Sequence, residues 1–159
     1  MQDSVTVHMD ATPDAVWDLV SDVTQIGRFS PETFEAEWTD GATGPAVGAR
    51  FRGHVNRNQR GIKYWTTCEV TECVPGELFT FAVLTGGNAL NTWSYRIVSA
   101  PGPDGQPGVD VTESFHLKEA LPLRLYWLLF GWARGKTNRR GMQQTLERIK
   151  AVVEDDAPS

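Results

Sequence analysis

Positive charge is what this chain is short of. Its 159 residues carry fifteen Lys and Arg against twenty Asp and Glu, a formal net charge of −5. A surface that neutralises nucleic-acid phosphates clusters the opposite sign, so no nucleic-acid partner is expected. Cysteine is scarce too. Two residues, Cys68 and Cys73, cannot staple a disulfide scaffold. No hydrophobic run suits a bilayer, which takes about 20 residues. The most apolar stretch, Leu121 to Ala133, is shorter and is broken by Pro122 and Arg124. The opening Met1-Gln2-Asp3-Ser4 has neither the basic nor the apolar region of a secretory leader, which predicts a cytoplasmic protein. There is no Gly-rich phosphate loop before a helix and no Gly-x-Ser-x-Gly elbow. No cofactor is expected.

Aromatic mass is what the chain has: six Trp, seven Phe and three Tyr. With 40% hydrophobic and 22% charged residues, it reads as one globular domain over 1–154 with a disordered acidic tail at 155–159. So many rings make either a bulky core or the lining of a cavity.

Val5 to Met9 alternates as a first strand. Thr12 is a natural N-cap with Pro13 at the first helical position, and Val16, Leu19, Val20 and Val23 follow at helical spacing. Asp22 to Phe29 reads as a second short helix or turn. Six strand signals come next, punctuated by turns: Phe34 to Thr39, Ala49 to Asn56, Ile62 to Val74, then strands around Phe79–Val83, Trp93–Ile97 and Val109–Leu117. Pro122 can open the terminal helix, whose stripe is Met142, Leu146, Ile149 and Val153. Strands joined by short turns are antiparallel neighbours, and one apolar sheet face must be covered. Only the terminal helix is long enough. The expected fold is therefore α+β: a seven-stranded antiparallel sheet wrapped around a long C-terminal helix, with two short helices after strand 1.

Several segments resemble a known superfamily. They are Ala11-Thr12-Pro13-Asp14-Ala15-Val16-Trp17, Phe29-Ser30-Pro31-Glu32, Gly48-Ala49-Arg50-Phe51, Val74-Pro75-Gly76-Glu77-Leu78-Phe79 and Val111-Thr112-Glu113-Ser114-Phe115. Together they are similar to the START/birch-pollen-allergen-like (SRPBCC) superfamily, in its polyketide cyclase/dehydrase-like branch. The resemblance implies the helix-grip fold and a pocket between sheet and helix. It carries no catalytic motif residue by residue, because this fold hosts carriers, cyclases, hydrolases and sensors alike.

Stepping 100° per residue from Met142 brings Gly131 and Gly135 within about 20° of the helix's inward direction. Glycine inside a helix costs about 1 kcal/mol relative to Ala, so two on one face call for a reason. One reason is a void that admits a ligand. The others are close packing against sheet rings or a Gly-x-x-x-Gly helix contact.

The walls of such a void would be Phe51, Val55, Phe79, Phe81, Trp93, Tyr95, Val111 and Phe115, with Trp127 and Leu128 from the helix; taken singly, each reads first as a core residue. Glu113 shares strand parity with Val111 and Phe115, so it faces the same way and needs a cation, hydrogen bonds or a raised pKa. Asn138 and Arg139 project within about 60° of the inward direction and are its candidate partners. Glu113, Tyr95 and Arg139 are the candidate catalytic groups, the alternative being a structural ion pair or a rim position for Glu113.

His8, His54 and His116 fall on outer or edge positions of three strands, which argues against a metal site. Opposite parity separates Cys68 from Cys73 unless a bulge intervenes. Lys136 to Arg140 holds three basic residues, a solvated face or a contact for an anionic group. The apolar run Tyr126 to Phe130 with Trp132 is buried or meets a partner, as a homodimer or a membrane-touching mouth. Two functions follow: a binding protein for an apolar small molecule (a lipid, polyketide or quinone-like compound), or a polyketide cyclase, aromatase or dehydratase using the same cavity. A regulatory partner protein with a vestigial pocket is the third.

Overall fold

In the computed structural model the described residues are 1–56, 61–118 and 121–156, with the terminal helix's side chains described from Asn138 onward. The elements run β1 (Gln2–Met9), α1 (Pro13–Ser21), a 3-10 helix (Val23–Arg28), β2 (Thr33–Thr39), β3 (Arg50–Val55), β4 (Tyr64–Val74), β5 (Leu78–Thr85), β6 (Asn88–Ser99), β7 (Val109–Leu117) and α2 (Leu121–Asp155). The strands form one sheet in the order β1-β7-β6-β5-β4-β3-β2, every neighbour antiparallel. This is the helix-grip arrangement. It extends the expected first strand back to Gln2 and starts the third and fourth strands slightly later than alternation suggested.

Local chemistry sets the ends of these elements. Thr12 caps α1, its Oγ1 accepting from the Ala15 amide at 3.2 Å, and Pro13 follows where a missing N–H costs nothing. The Asp22 carboxylate then accepts from the Thr24 amide at 3.1 Å and starts the 3-10 helix. Gly86 and Gly87, at φ 59° and 80°, make the two-residue turn between β5 and β6 that L side chains disfavour. Gly27 is required for a different reason: a Cβ there would lie 2.2 Å from the Phe34 carbonyl oxygen, where the 3-10 helix crosses β2.

Register aligns one apolar face. Phe51 opposes Cys68, Val70 opposes Phe81, Phe79 opposes Tyr95, Phe81 opposes Trp93, and Ile97 opposes Val111. These residues are buried, except half-buried Trp93. Their rings meet edge-on or tilted: Phe51 and Phe81 at 5.2 Å, Trp93 and Phe115 at 4.7 Å, and Trp17 of α1 against Phe79 at 6.1 Å. Met142, Leu146, Ile149 and Val153 of α2 are buried against this face, the stripe read from the sequence.

Polar contacts hold the described half of α2 on two sides. Lys150 donates to the His8 carbonyl at 2.9 Å, and Glu154 accepts from the Asp10 amide at 3.0 Å, both at the end of β1. Opposite them, Arg148 donates to the Ser30 carbonyl at 3.3 Å.

A bulge at Thr71 shifts the β4 register between Val70 and Glu72. Cys73 therefore opposes Phe79 and shares the inner face with Cys68, the exception that simple parity left open. Both thiols are free. Burial pushes the Cys68 thiol up to about 12.

The outer face carries a feature alternation does not reveal. His54 lies on that face, as expected for a surface histidine, but it is sandwiched: its ring stacks on Trp65 at 4.3 Å and meets Phe34 at 4.4 Å. Arg52 sits over Trp65 at 4.4 Å and Lys63 over Phe34 at 5.1 Å. The result is a cation–ring–ring–ring–cation ladder across β2, β3 and β4, with Glu35 on the His54 Nδ1 at 2.7 Å. Among the described residues no group of His, Cys, Asp and Glu could hold a metal ion, and no helix is long and apolar enough to cross a membrane.

Candidate functional site

The antiparallel register sets Tyr95 of β6 directly beside Glu113 of β7. Both side chains are buried, at 5% and 3% exposure. The Tyr95 hydroxyl donates to Glu113 Oε1 at 3.1 Å. Among the described residues, buried Glu113 Oε2 has no hydrogen-bond partner. Around the pair lie Val5, opposite Glu113 on β1, and Phe29, edge-on to Tyr95 at 6.4 Å. Burial in this apolar shell lifts the Glu113 carboxyl to about 8, while the Tyr95 hydrogen bond pulls partly the other way. Burial, then the neighbouring carboxyl's charge and hydrogen bond, hold the Tyr95 phenol well above its ordinary range. At neutral pH the pair is a neutral acid and a neutral phenol. The phenol's hydrogen bond to Oε1 leaves Oε2 to carry the acid proton. Such a group can donate to a carbonyl, or pass a proton, where water is excluded.

The expected partner for Glu113 is not formed. Arg139 is exposed and pairs with Asp3 of β1 at 3.2 Å. Burying a guanidinium costs more than leaving it wet beside a surface carboxylate, so the helix turns it toward the β1 edge. Arg139 is therefore withdrawn as a group acting on Glu113. Asn138 is half-buried.

Phe51, Val55, Phe79, Phe81, Trp93, Tyr95, Val111 and Phe115 all stand on the inner face with Glu113, as strand parity predicts. The side chains of Trp127 and Leu128, of the apolar run Tyr126–Trp132 and of Lys136, and the packing at Gly131 and Gly135, are not among those described.

Two concavities formed by described residues are elsewhere. An open depression of about 730 Å³ follows the loop from Asp40 to Arg50, and a crevice of about 200 Å³ separates α1, the 3-10 helix and the end of α2. Neither touches Glu113 or Tyr95. Volume alone does not make a site, and neither concavity brings an unsatisfied buried group to a ligand.

One inner-face residue escaped the sequence reading. Asn91 of β6 opposes Val83 on one side and Leu117 on the other, and its buried Oδ1 has no hydrogen-bond partner among the described residues. Its parity with Trp93 and Tyr95 was the available signal.

With this geometry in view, the likeness to known proteins is informative. The family model described as "Polyketide cyclase / dehydrase and lipid transport" matches residues 3–154. Solved structures share the fold at low identity. Protein NE0264 from Nitrosomonas europaea is 10% identical, with 98% of this chain and 96% of that one aligned and a TM-score of 0.68. DR_A0006 from Deinococcus radiodurans is 15% identical over 98% and 96%, with a TM-score of 0.63. An AHSA1-like protein from Aeromonas hydrophila is 21% identical over 98% and 93%, with a TM-score of 0.61. Among curated proteins none matches.

Proposed function

The chain belongs to the polyketide cyclase/dehydrase and lipid transport family, and from that premise we propose that it binds an apolar small molecule between the inner face of the sheet and α2, anchored by Glu113 and Tyr95. The ligand class is a lipid, a polyketide or a quinone-like compound. The observation that carries this reading is the orphaned Glu113 Oε2 among aromatic and aliphatic walls. A buried polar atom without a partner costs about 1–3 kcal/mol. A hydrophobic substitution would remove that cost, so a carboxyl in this position has a use. A ligand carbonyl would satisfy it.

The test is native mass spectrometry of the protein purified from its host. A retained lipid-sized adduct is expected. Replacing Gly131 and Gly135 together by Leu should prevent its retention with the circular dichroism unchanged. An adduct-free wild type that also takes up no added apolar compound would remove this reading.

A second reading has its own support. An acid held to about 8 beside a phenol is suited to proton transfer at neutral pH, as a polyketide cyclase or dehydratase requires. Under it Glu113 and Tyr95 are the catalytic pair. Glu113→Gln keeps the shape and the Tyr95 contact but cannot shuttle a proton, so turnover would vanish while ligand retention persisted.

A further inference from the structure

We propose that the ligand is an elongated molecule with an oxygen function at each end, a carbonyl held at Glu113 and a hydroxyl held at Asn91, and an apolar body lying across Trp93 and Phe115. This rests on the apolar-ligand reading above and adds to it the length and the chemistry of the two ends.

Two orphaned polar atoms on one face carry the inference. Glu113 Oε2 and Asn91 Oδ1 are both buried without a hydrogen-bond partner among the described residues. The register puts them on the same side of the sheet, because Glu113 opposes Tyr95, Phe115 opposes Trp93 and Leu117 opposes Asn91. From Glu113 to Asn91 is thus four residues along the strand direction, about 13 Å at about 3.3 Å per residue. Midway between them the Trp93 and Phe115 rings meet at 4.7 Å, an aromatic floor without polar side chains of its own. A short or singly substituted ligand would leave one of the two atoms unsatisfied. A molecule of matching span satisfies both.

The ends differ in what they ask for. Tyr95 already donates to Glu113 Oε1, and the carboxyl is protonated at neutral pH, so Oε2 offers a hydrogen and calls for an acceptor such as a ketone. At Asn91 the buried atom is the amide oxygen, which calls for a donor such as a hydroxyl. The ligand is accordingly polar at its two ends in opposite senses and apolar between them.

Two series of linear methyl ketones test this with the full chain at pH 7, one ending in a methyl group and one in a hydroxyl, with chain length varied. Binding is read by tryptophan fluorescence and calorimetry. The hydroxyl-ended ketone should bind roughly tenfold tighter than its methyl-ended partner at one optimal length, the value of one well-made buried hydrogen bond. Asn91→Leu at this half-buried position should erase that preference, because the hydroxyl then has no acceptor. If both series bind alike at every length, or if the preference survives in Asn91→Leu, the two-ended inference is overturned while the apolar-ligand reading stands. If no member of either series binds, the two-ended inference is overturned, and the native mass spectrum decides the apolar-ligand reading separately.

Discussion

Glu113 is a carboxyl surrounded by hydrocarbon, and its protonation couples to the fold. Its folded-state pKa of about 8 lies above the ordinary 4.5. The folded protein therefore holds a proton that the unfolded chain releases between those values. Stability from this group is fully present below 4.5 and declines as pH rises toward 8, by up to about 1.4 kcal/mol per pH unit. Glu113→Gln is neutral throughout and removes the dependence. Urea titrations at pH 5.5 and 7.5 should show a clear drop for the wild type and a much smaller one for the variant. Parallel curves would mean that the carboxyl titrates normally and is not buried as described. Residue by residue, the inward set was legible because alternation is a local property with a period of two. Arg139 was not, since 60° from the inward direction is an ambiguous helical position. Asp3, 136 residues away in the chain, decides it.

Single glycines show how much an element depends on its neighbours. Gly27 in the 3-10 helix has the Phe34 carbonyl where a Cβ would go, whereas a Cβ on Gly141 in α2 would meet nothing within 4 Å among the described residues. Opposite outcomes follow. Gly27→Ala should destabilise by about 3 kcal/mol, because a backbone atom cannot step aside. Gly141→Ala should stabilise by about 0.5–1 kcal/mol through helix propensity. Thermal melts of the two variants check both signs at once.

The bulge at Thr71 belongs to this scale as well. One extra residue turns Cys73 inward, and no pattern in Tyr64–Val74 announces it. The Arg52–Trp65–His54–Phe34–Lys63 ladder was hidden for a similar reason. Its members come from three strands and from Lys63 just before β4, and they meet only when register brings them level.

Across the whole molecule, the sheet and α2 complete a single core. Leu146 is fully buried at their junction. Leu146→Ala should cost about 2–5 kcal/mol, and the loss should be shared by every probe. Tryptophan fluorescence and far-ultraviolet circular dichroism should shift to the same lower urea midpoint. Separate midpoints would show that helix and sheet unfold independently.

What the sequence by itself determined is what neighbouring residues can dictate: the capped first helix, the alternating strands, the apolar stripe from Met142 to Val153 and the inward side of Glu113. Each follows from the period of a helix or strand and the chemistry of its ends. The tertiary structure decided which groups meet. It set Tyr95, not Arg139, on Glu113, left Glu113 Oε2 and Asn91 Oδ1 without partners among the described residues, and sent Arg139 to the surface. The reason is physical. Strand order, bulges and the desolvation of a charge depend on residues far apart in the chain, and no local spacing encodes them.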